Sequence, residues 1–189
     1  MAFKRGSEIA TIDCALVTVE TKTSGKELKL DTATKINVTT QTETQDAIKL
    51  IIKGRLLAQK RAIVTLTGNT IVLTDNVFIP ELVQIFQGGV LVYDSEDPTK
   101  IVSYTPPKAG DELSQLETFT LNAYSAIYGP SGLLSGYEKI SYPNCQGIPI
   151  SLSSEDNVFR VPEYTIYSAP DTGEPAYKIT WIGPDELPA

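Results

Sequence analysis

Hydrophobic and polar residues alternate with a period of two along most of the chain. The clearest runs are Asp13–Thr21, Glu27–Leu30 and Phe119–Tyr128. Alternation of this kind is typical of strands that bury one face, so these segments are predicted strands. Shorter segments with the same composition lie at 89–93, 101–104, 137–143, 148–152 and 177–182. The sequence therefore predicts a mainly β protein built from antiparallel strands.

A different pattern occupies the stretch from Arg61 to Gly89. Its first part is rich in Ile, Val, Leu and Thr, which favour strands. The dipeptide Gly68-Asn69 suits a two-residue type II′ turn. We therefore expect a hairpin here, with strands at Arg61–Thr67 and Thr70–Thr74.

The second part of that stretch predicts the single α-helix, at about 79–87. Asp75 or Asn76 can cap its start, Pro80 fits the first helical turn, and Gly88 can end it in a left-handed conformation. Apolar residues recur on one side at helical spacing, at Ile79, Leu82, Val83 and Phe86. A helix this short is not stable alone in water, so we expect it to flank a sheet of a β-sandwich or half-barrel.

The Thr-rich segment Thr32–Lys53 has strand propensity in its middle but few residues to bury there. We interpret it as a long hairpin that projects from the body and contacts another subunit. Its polar tip is expected near Glu43, Thr44, Gln45 and Asp46. A polar surface loop is the alternative. The residues that follow, with Arg55, Lys60 and Arg61 around an apolar centre, are interpreted as a basic connector.

The chain of 189 residues is long enough for one well-formed core and is short for two large domains. We expect an extended N-terminal arm at 1–12, one domain at 13–182 with the projecting hairpin at 32–53, and an extended C-terminal tail at 183–189. Polar residues interrupt the N-terminal apolar positions, which argues against a secretory signal. No apolar run approaches the roughly 20 residues of a membrane span, so we expect no membrane contact.

Charge is divided unevenly along the chain, whose net charge is -7. Residues 1–61 hold 11 Lys or Arg against 7 Asp or Glu, whereas residues 62–189 hold 5 against 16. The overall acidity argues against a sequence-specific nucleic-acid reader. The division permits contact between a basic region of one copy and an acidic region of the next, although a scattered, solvated surface is the alternative. The candidate basic residues are Lys53, Arg55, Lys60 and Arg61, and the candidate acidic residues are Asp94, Glu96, Asp97, Asp111 and Glu112.

Catalytic and metal-binding patterns are scarce. The sequence has no histidine, which removes histidine-based triads, pairs and zinc sites. The acids between Asp94 and Asp97 lack the full ligand spacing of a calcium loop, and an exposed turn is the simpler interpretation. Cys14 and Cys145 are too few for a disulfide framework, so we expect two free thiols. We predict no enzyme activity, no cofactor and no metal.

Three segments together carry a resemblance to a known family. They are TGNTIVLTDNVFIPELVQIFQGG at 67–89, YEKISYPNCQG at 137–147 and EDNVFRVPEYTIYSAPDTGEPAYKI at 155–179. In these segments the chain resembles the major tail tube protein of long-tailed bacteriophages, a family related to the tube proteins of contractile tails and type VI secretion systems. The resemblance runs from about Thr32 to Ile179.

The resemblance implies a β-sandwich with one flanking helix, six copies per ring, and rings stacked into a hollow tube through which viral DNA passes without specific binding. By the same analogy the partners are further copies of the chain, a tape-measure protein, and tail terminator and baseplate proteins. The location would be the phage tail, assembled in the host cytoplasm. The alternative is a non-catalytic binding or adhesion module, which would need an exposed aromatic platform. The tyrosines within strand patterns are expected to pack instead, at Tyr124, Tyr128, Tyr142, Tyr164 and Tyr167.

Overall fold

The computed structural model describes residues 8–112 and 116–188. In this part of the chain, strands predominate and one α-helix, α1, spans Pro80–Gln87. A 3-10 helix at Pro184–Glu186 lies in the predicted C-terminal tail. The strands are β1 Thr11–Thr21, β2 Glu27–Leu30, β3 Ala33–Gln45, β4 Ile48–Ile52, β5 Arg55–Lys60, β6 Ile63–Asp75, β7 Val90–Tyr93, β8 Ile101–Thr105, β9 Phe119–Tyr128, β10 Leu134–Gly147, β11 Glu163–Ser168 and β12 Lys178–Ile182. The mainly β, antiparallel fold with one short helix is confirmed.

One eight-stranded antiparallel sheet forms the body, in the order β2-β1-β9-β10-β11-β6-β3, with β12 paired to β10. Strand β1 also packs against β3, although the two are far apart in this order. The sheet is therefore strongly curled, in the manner of a half-barrel. Two separate two-stranded sheets, β4-β5 and β7-β8, are attached to it.

Helix α1 covers the core inside the curled sheet. Leu82, Val83 and Phe86 are fully buried, as the apolar stripe predicted. The Phe86 ring stacks on Phe119 at 5.1 Å and meets Tyr164 edge-on at 5.3 Å between ring centroids. Such pairs add to the free energy gained from apolar burial. The helix therefore joins residues of β9 and β11 into one core.

The start of α1 differs from the expectation. Its N-cap is Ile79, which makes no side-chain capping bond, so the proposed capping by Asp75 or Asn76 is wrong. The Asp75 carboxylate instead accepts hydrogen bonds from the Thr32 hydroxyl at 2.6 Å and from the Val77 amide at 3.3 Å. This buried side chain therefore connects the chain before β3 to the end of β6. The C-terminal end is as predicted in position, because Gly88 has a φ of 77°.

The predicted turn at Gly68-Asn69 is wrong, because both residues lie inside the continuous strand β6. The β3-β6 register shifts beside Gly68, which marks a bulge. A Cβ atom at Gly68 would overlap the carbonyl oxygen of Ser168. Asn69 is buried and donates a hydrogen bond to the Ala176 carbonyl at 2.9 Å. Glycine is therefore required here by the close approach of two backbones rather than by a turn.

The predicted hairpin at Thr32–Lys53 is replaced by a longer one. Strand β3 pairs with β6, not with a strand that ends at Lys53, and β4 pairs with β5. The segment interpreted as a basic connector is therefore mostly strand β5. Of the predicted N-terminal arm, residues 1–7 lie outside the described residues, and β1 begins at Thr11, two residues before the predicted start.

The segment Ile148–Leu152 is not a strand. Pro149 lacks an amide hydrogen and cannot donate to a neighbouring strand. The amides on either side of Pro149 make isolated hydrogen bonds instead of a ladder. Ile148 donates to the Thr165 carbonyl, and Ile150 donates to the Gln87 side chain at 3.0 Å. The segment therefore crosses the end of α1 as an irregular connection.

Candidate functional site

A two-stranded ribbon, which we call the arm, extends from the body over residues 41–68. Strand β11 pairs with β6 only over residues 69–74, so beyond Gly68 the ribbon consists of β3 and β6 alone. The β4-β5 hairpin continues it and forms its tip. From Gln41 to the tip, about 13 residues at a rise of roughly 3.3 Å allow a length of up to about 40 Å.

The tip of the arm is a two-residue loop, Lys53-Gly54. Both residues have positive φ, 48° and 78° respectively, and the flanking residues Ile52 and Arg55 are paired. This geometry fits a type I′ turn, whose twist matches that of the flanking strands. Glu43–Asp46 therefore lie in the middle of the projection rather than at its tip.

The arm has no core of its own. Every residue from Asn37 to Thr67 is exposed except Ala47, which is half-buried. An isolated two-stranded ribbon is marginally stable in water. Its backbone order here therefore depends on little beyond its own ladder of hydrogen bonds.

The arm nevertheless carries a cluster of large apolar side chains on both of its faces. The nine exposed ones, which we call the apolar set, are Ile48, Leu50, Ile51, Ile52, Leu56, Leu57, Ile63, Val64 and Leu66. Sequence reasoning missed their role, because it divided them between a hairpin, a connector and a second hairpin. The sequence feature that could have revealed this surface is the high density of Ile and Leu between Ile48 and Leu57. Exposed apolar clusters of this kind mark interaction surfaces.

The structure brings all the predicted basic and polar candidates onto the arm. Glu43, Thr44 and Gln45 end β3, and Asp46 follows in the bend before β4. Lys53 is in the tip turn, Arg55 and Lys60 are the ends of β5, and Arg61 precedes β6. Residues 41–68 contain five Lys or Arg against two Asp or Glu, a net charge of +3. The arm is therefore basic and apolar, on a chain that is acidic as a whole.

The predicted acidic candidates lie around the β7-β8 hairpin. Asp94, Glu96 and Asp97 are in the turn that joins the two strands, and Asp111 and Glu112 lie beyond the C-terminal end of β8. The Asp97 carboxylate accepts hydrogen bonds from the hydroxyl and the amide of Thr99 and forms an ion pair with Lys100. These contacts lower the pKa of the Asp97 carboxyl. Asp94 accepts from the Glu96 amide at 2.8 Å and so shapes the same turn. Glu96 is exposed at its apex.

The described residues show little that resembles a catalytic or metal site. No group of three or more Cys, Asp or Glu side chains in 8–112 and 116–188 is placed to hold a metal ion. Cys14 and Cys145 are both free thiols, and burial raises the pKa of Cys145 to about 12. A helix long and apolar enough to cross a membrane is absent from the same residues.

Comparison with known proteins gives a weak likeness to a solved structure. The chain matches no protein-family model and no curated protein. Among solved structures it is similar to a chain in a cryo-EM structure of the anti-feeding prophage baseplate, symmetrised six-fold. The TM-score is 0.37 with 11% sequence identity, over 89% of this chain and 91% of that one. A likeness at this level assigns no function.

Proposed function

We propose that this chain is a structural subunit that assembles with copies of itself, and that its arm makes the contact. The observation that carries the proposal is the arm: a projecting ribbon with nine exposed large apolar side chains and no core. It has no enzymatic role in this proposal.

The physical reason is that burial of the arm's exposed apolar side chains against another surface lowers the free energy. Each fully buried Leu or Ile side chain contributes roughly 1.5 to 3 kcal/mol relative to an exposed one. In the subunit alone the side chains of the apolar set are 44% to 67% exposed, so about half of that gain is unrealised. Contact with a second protein surface supplies it and also orders a ribbon that is marginal by itself.

The resemblance to tail tube proteins gives the assembly its form. We infer stacked rings, six copies in each, that enclose a channel for DNA in a phage tail, with tape-measure, terminator and baseplate proteins as further partners and assembly in the host cytoplasm. The net charge of -7 supports the role of a DNA channel, because the wall of such a channel must not bind the phosphates of the DNA that passes through it. The basic charge on the arm is then expected to face a neighbouring subunit rather than the channel.

The alternative, a binding or adhesion module, rests on Phe159, which is 94% exposed. It lies in the strand-free stretch between β10 and β11, where no second exposed aromatic residue adjoins it in sequence. Tyr124, Tyr142 and Tyr164 are buried, as core packing predicts. The expectation is wrong for Tyr128 and Tyr167, which are 45% and 51% exposed. An aromatic platform is therefore less well supported than an assembly arm.

The test uses the full chain and a variant with a shortened arm. Gln45 pairs with Ile63, so replacing residues 46–62 with Asn-Gly closes the ribbon with a two-residue type I′ loop. The body strands are untouched, because β11 pairs with β6 only from Asn69 onward. Both proteins are compared by negative-stain electron microscopy at high concentration and by circular dichroism and thermal melting.

We expect rings or tubes with a central channel from the full chain, and folded monomers from the shortened variant. Folded full-length monomers at every concentration would overturn the proposal. So would tubes of normal length from the shortened variant, since the arm would then be dispensable.

A further inference from the structure

The β7-β8 hairpin presents a second unpartnered apolar surface. Val90 and Val92 are 61% and 46% exposed. Val90 and Val92 pair with Thr105 and Ser103, so these four side chains share the outer face of the hairpin. Ser103 and Thr105 are exposed like the two valines, and the hairpin has no further strand on either edge among the described residues. The outer face is therefore open to another molecule.

The inner face of the same hairpin is fixed to the body. Leu91 is buried, and its cross-strand partner Tyr104 donates a hydrogen bond to the Gly88 carbonyl at 2.7 Å. The Tyr104 hydroxyl also accepts one from Gln87 at 2.8 Å. The hairpin is thus anchored at the end of α1, and its apolar outer face is a preformed surface.

Acidic residues flank this face at both ends. Glu96 and its neighbours occupy the turn at one end. At the other end lies an open groove of about 730 Å³, whose lining includes Val90, Pro106, Pro107 and Asp111. Residues 89–112 contain five Asp or Glu against two Lys, a net charge of -3.

The arm tip has the complementary arrangement. Its apolar residues on β4 and β5 lie between Lys53 and Arg55 at the turn and Lys60 and Arg61 at the other end. The lengths also agree, with strands of five and six residues against four and five. An apolar centre with basic ends can therefore be placed on an apolar centre with acidic ends.

We propose that the outer face of the β7-β8 hairpin in one copy of the chain is the docking site for the β4-β5 arm tip of a second copy. This inference rests on the proposed self-assembly and specifies the surface that receives the arm. Apolar burial supplies the affinity, and the flanking charges set orientation and association rate, because exposed ion pairs contribute little to affinity.

The strand-free stretch at 151–161 is the competing acceptor. It exposes Leu152, Val158 and Phe159, but it carries Glu155 and Asp156 against Arg160, a net charge of -1. Its charge matches the arm less well, and its residues have no strand edge to offer.

The test is a charge-reversal and rescue experiment on the full chain, in which light scattering measures assembly at low and high salt. Arg55→Glu and Arg61→Glu reverse the two ends of the arm tip, and Glu96→Arg reverses the proposed acceptor. Glu155→Arg is the matched control, since it reverses another exposed acid, on the competing stretch. Each variant is first checked for a wild-type melting temperature.

We expect Arg55→Glu, Arg61→Glu and Glu96→Arg each to raise the critical concentration at low salt by about three- to fivefold, and less at high salt, where exposed charges are screened. Glu96→Arg should restore assembly to one of the two arm variants, and which one reveals the orientation of the arm. Glu155→Arg alone should have no effect.

A second variant pair tests the apolar part. The double variant Val90→Thr with Val92→Thr keeps strand propensity and shape while placing two hydroxyls on the outer face, and it should weaken assembly at both salt concentrations. If the wild type assembles while all hairpin variants behave like it, the acceptor is wrong and self-assembly stands. Rescue by Glu155→Arg would move the site to 151–161. A wild type that does not assemble would remove both proposals.

Discussion

Replacing the cross-strand pair Ile51 and Leu56 with serine is expected to weaken assembly without unfolding the subunit. The two side chains face each other across the β4-β5 hairpin and are 59% and 55% exposed. Full burial of such a side chain is worth roughly 1.5 to 3 kcal/mol. Because more than half of each remains to be buried on docking, the pair contributes roughly 2 to 3 kcal/mol. That corresponds to an association constant lower by about 30- to 150-fold.

The assay is sedimentation velocity over a series of protein concentrations, with thermal unfolding measured on the same samples. The melting temperature should hardly change, because exposed substitutions typically alter stability by less than about 0.5 kcal/mol. Leu133→Ser is the matched control, since Leu133 is 71% exposed in the loop between β9 and β10 and outside both proposed surfaces. A double variant that assembles at the wild-type concentration would show that the arm does not bury this pair. Equal weakening of assembly by Leu133→Ser would show that the loss is not specific to the arm.

Three further predictions concern the body. Phe86→Ala removes a fully buried ring from its contacts with Phe119 and Tyr164 and should lower the free energy of unfolding by about 3 to 5 kcal/mol in urea titrations; a loss under about 1 kcal/mol would contradict the packing. Gly68→Ala should lower the free energy of unfolding by about 1 to 3 kcal/mol in the same assay, because its Cβ would overlap the carbonyl oxygen of Ser168 in β11. An unchanged unfolding midpoint would contradict the close contact of the two backbones. Burial raises the pKa of Cys145 from 9.0 to about 12, so the unfolded chain ionises first and stability should fall as pH rises from about 9 to 12. A constant unfolding midpoint across that range would contradict the burial of the thiol.

The elements that local chemistry determines could be predicted from the sequence. Strands β2 and β9 match the predicted bounds, because alternating apolar residues mark a strand, although β9 is buried on both faces. Helix α1 is also where it was predicted, since Pro80 and Gly88 limit it on both sides. Its capping was mispredicted because Asp75 bonds to Thr32, a residue far away in sequence.

The elements that depend on contacts with residues far away in the sequence could not be predicted from local patterns. Gly68-Asn69 has the composition of a turn, and only the approach of Ser168 reveals why glycine is needed in a continuous strand. The extent of the arm was hidden for a similar reason: its two halves, β3 and β6, are separated by the whole β4-β5 hairpin. Arg55, Lys60 and Arg61 look like a connector in the sequence because the pairing of β5 with β4 is not visible there, and their apolar neighbours were overlooked for the same reason.

Assembly through the arm is tested most directly by hydrogen–deuterium exchange of the arm, compared between monomers and assembled particles of the same protein. In the monomer, residues 41–68 form an exposed ribbon and their amides should exchange quickly. We predict strong additional protection of this segment on assembly, greatest in β4 and β5, while the core strand β9 stays protected in both states. Arm amides that exchange equally fast in monomers and particles would contradict the claim that the arm joins one subunit to the next.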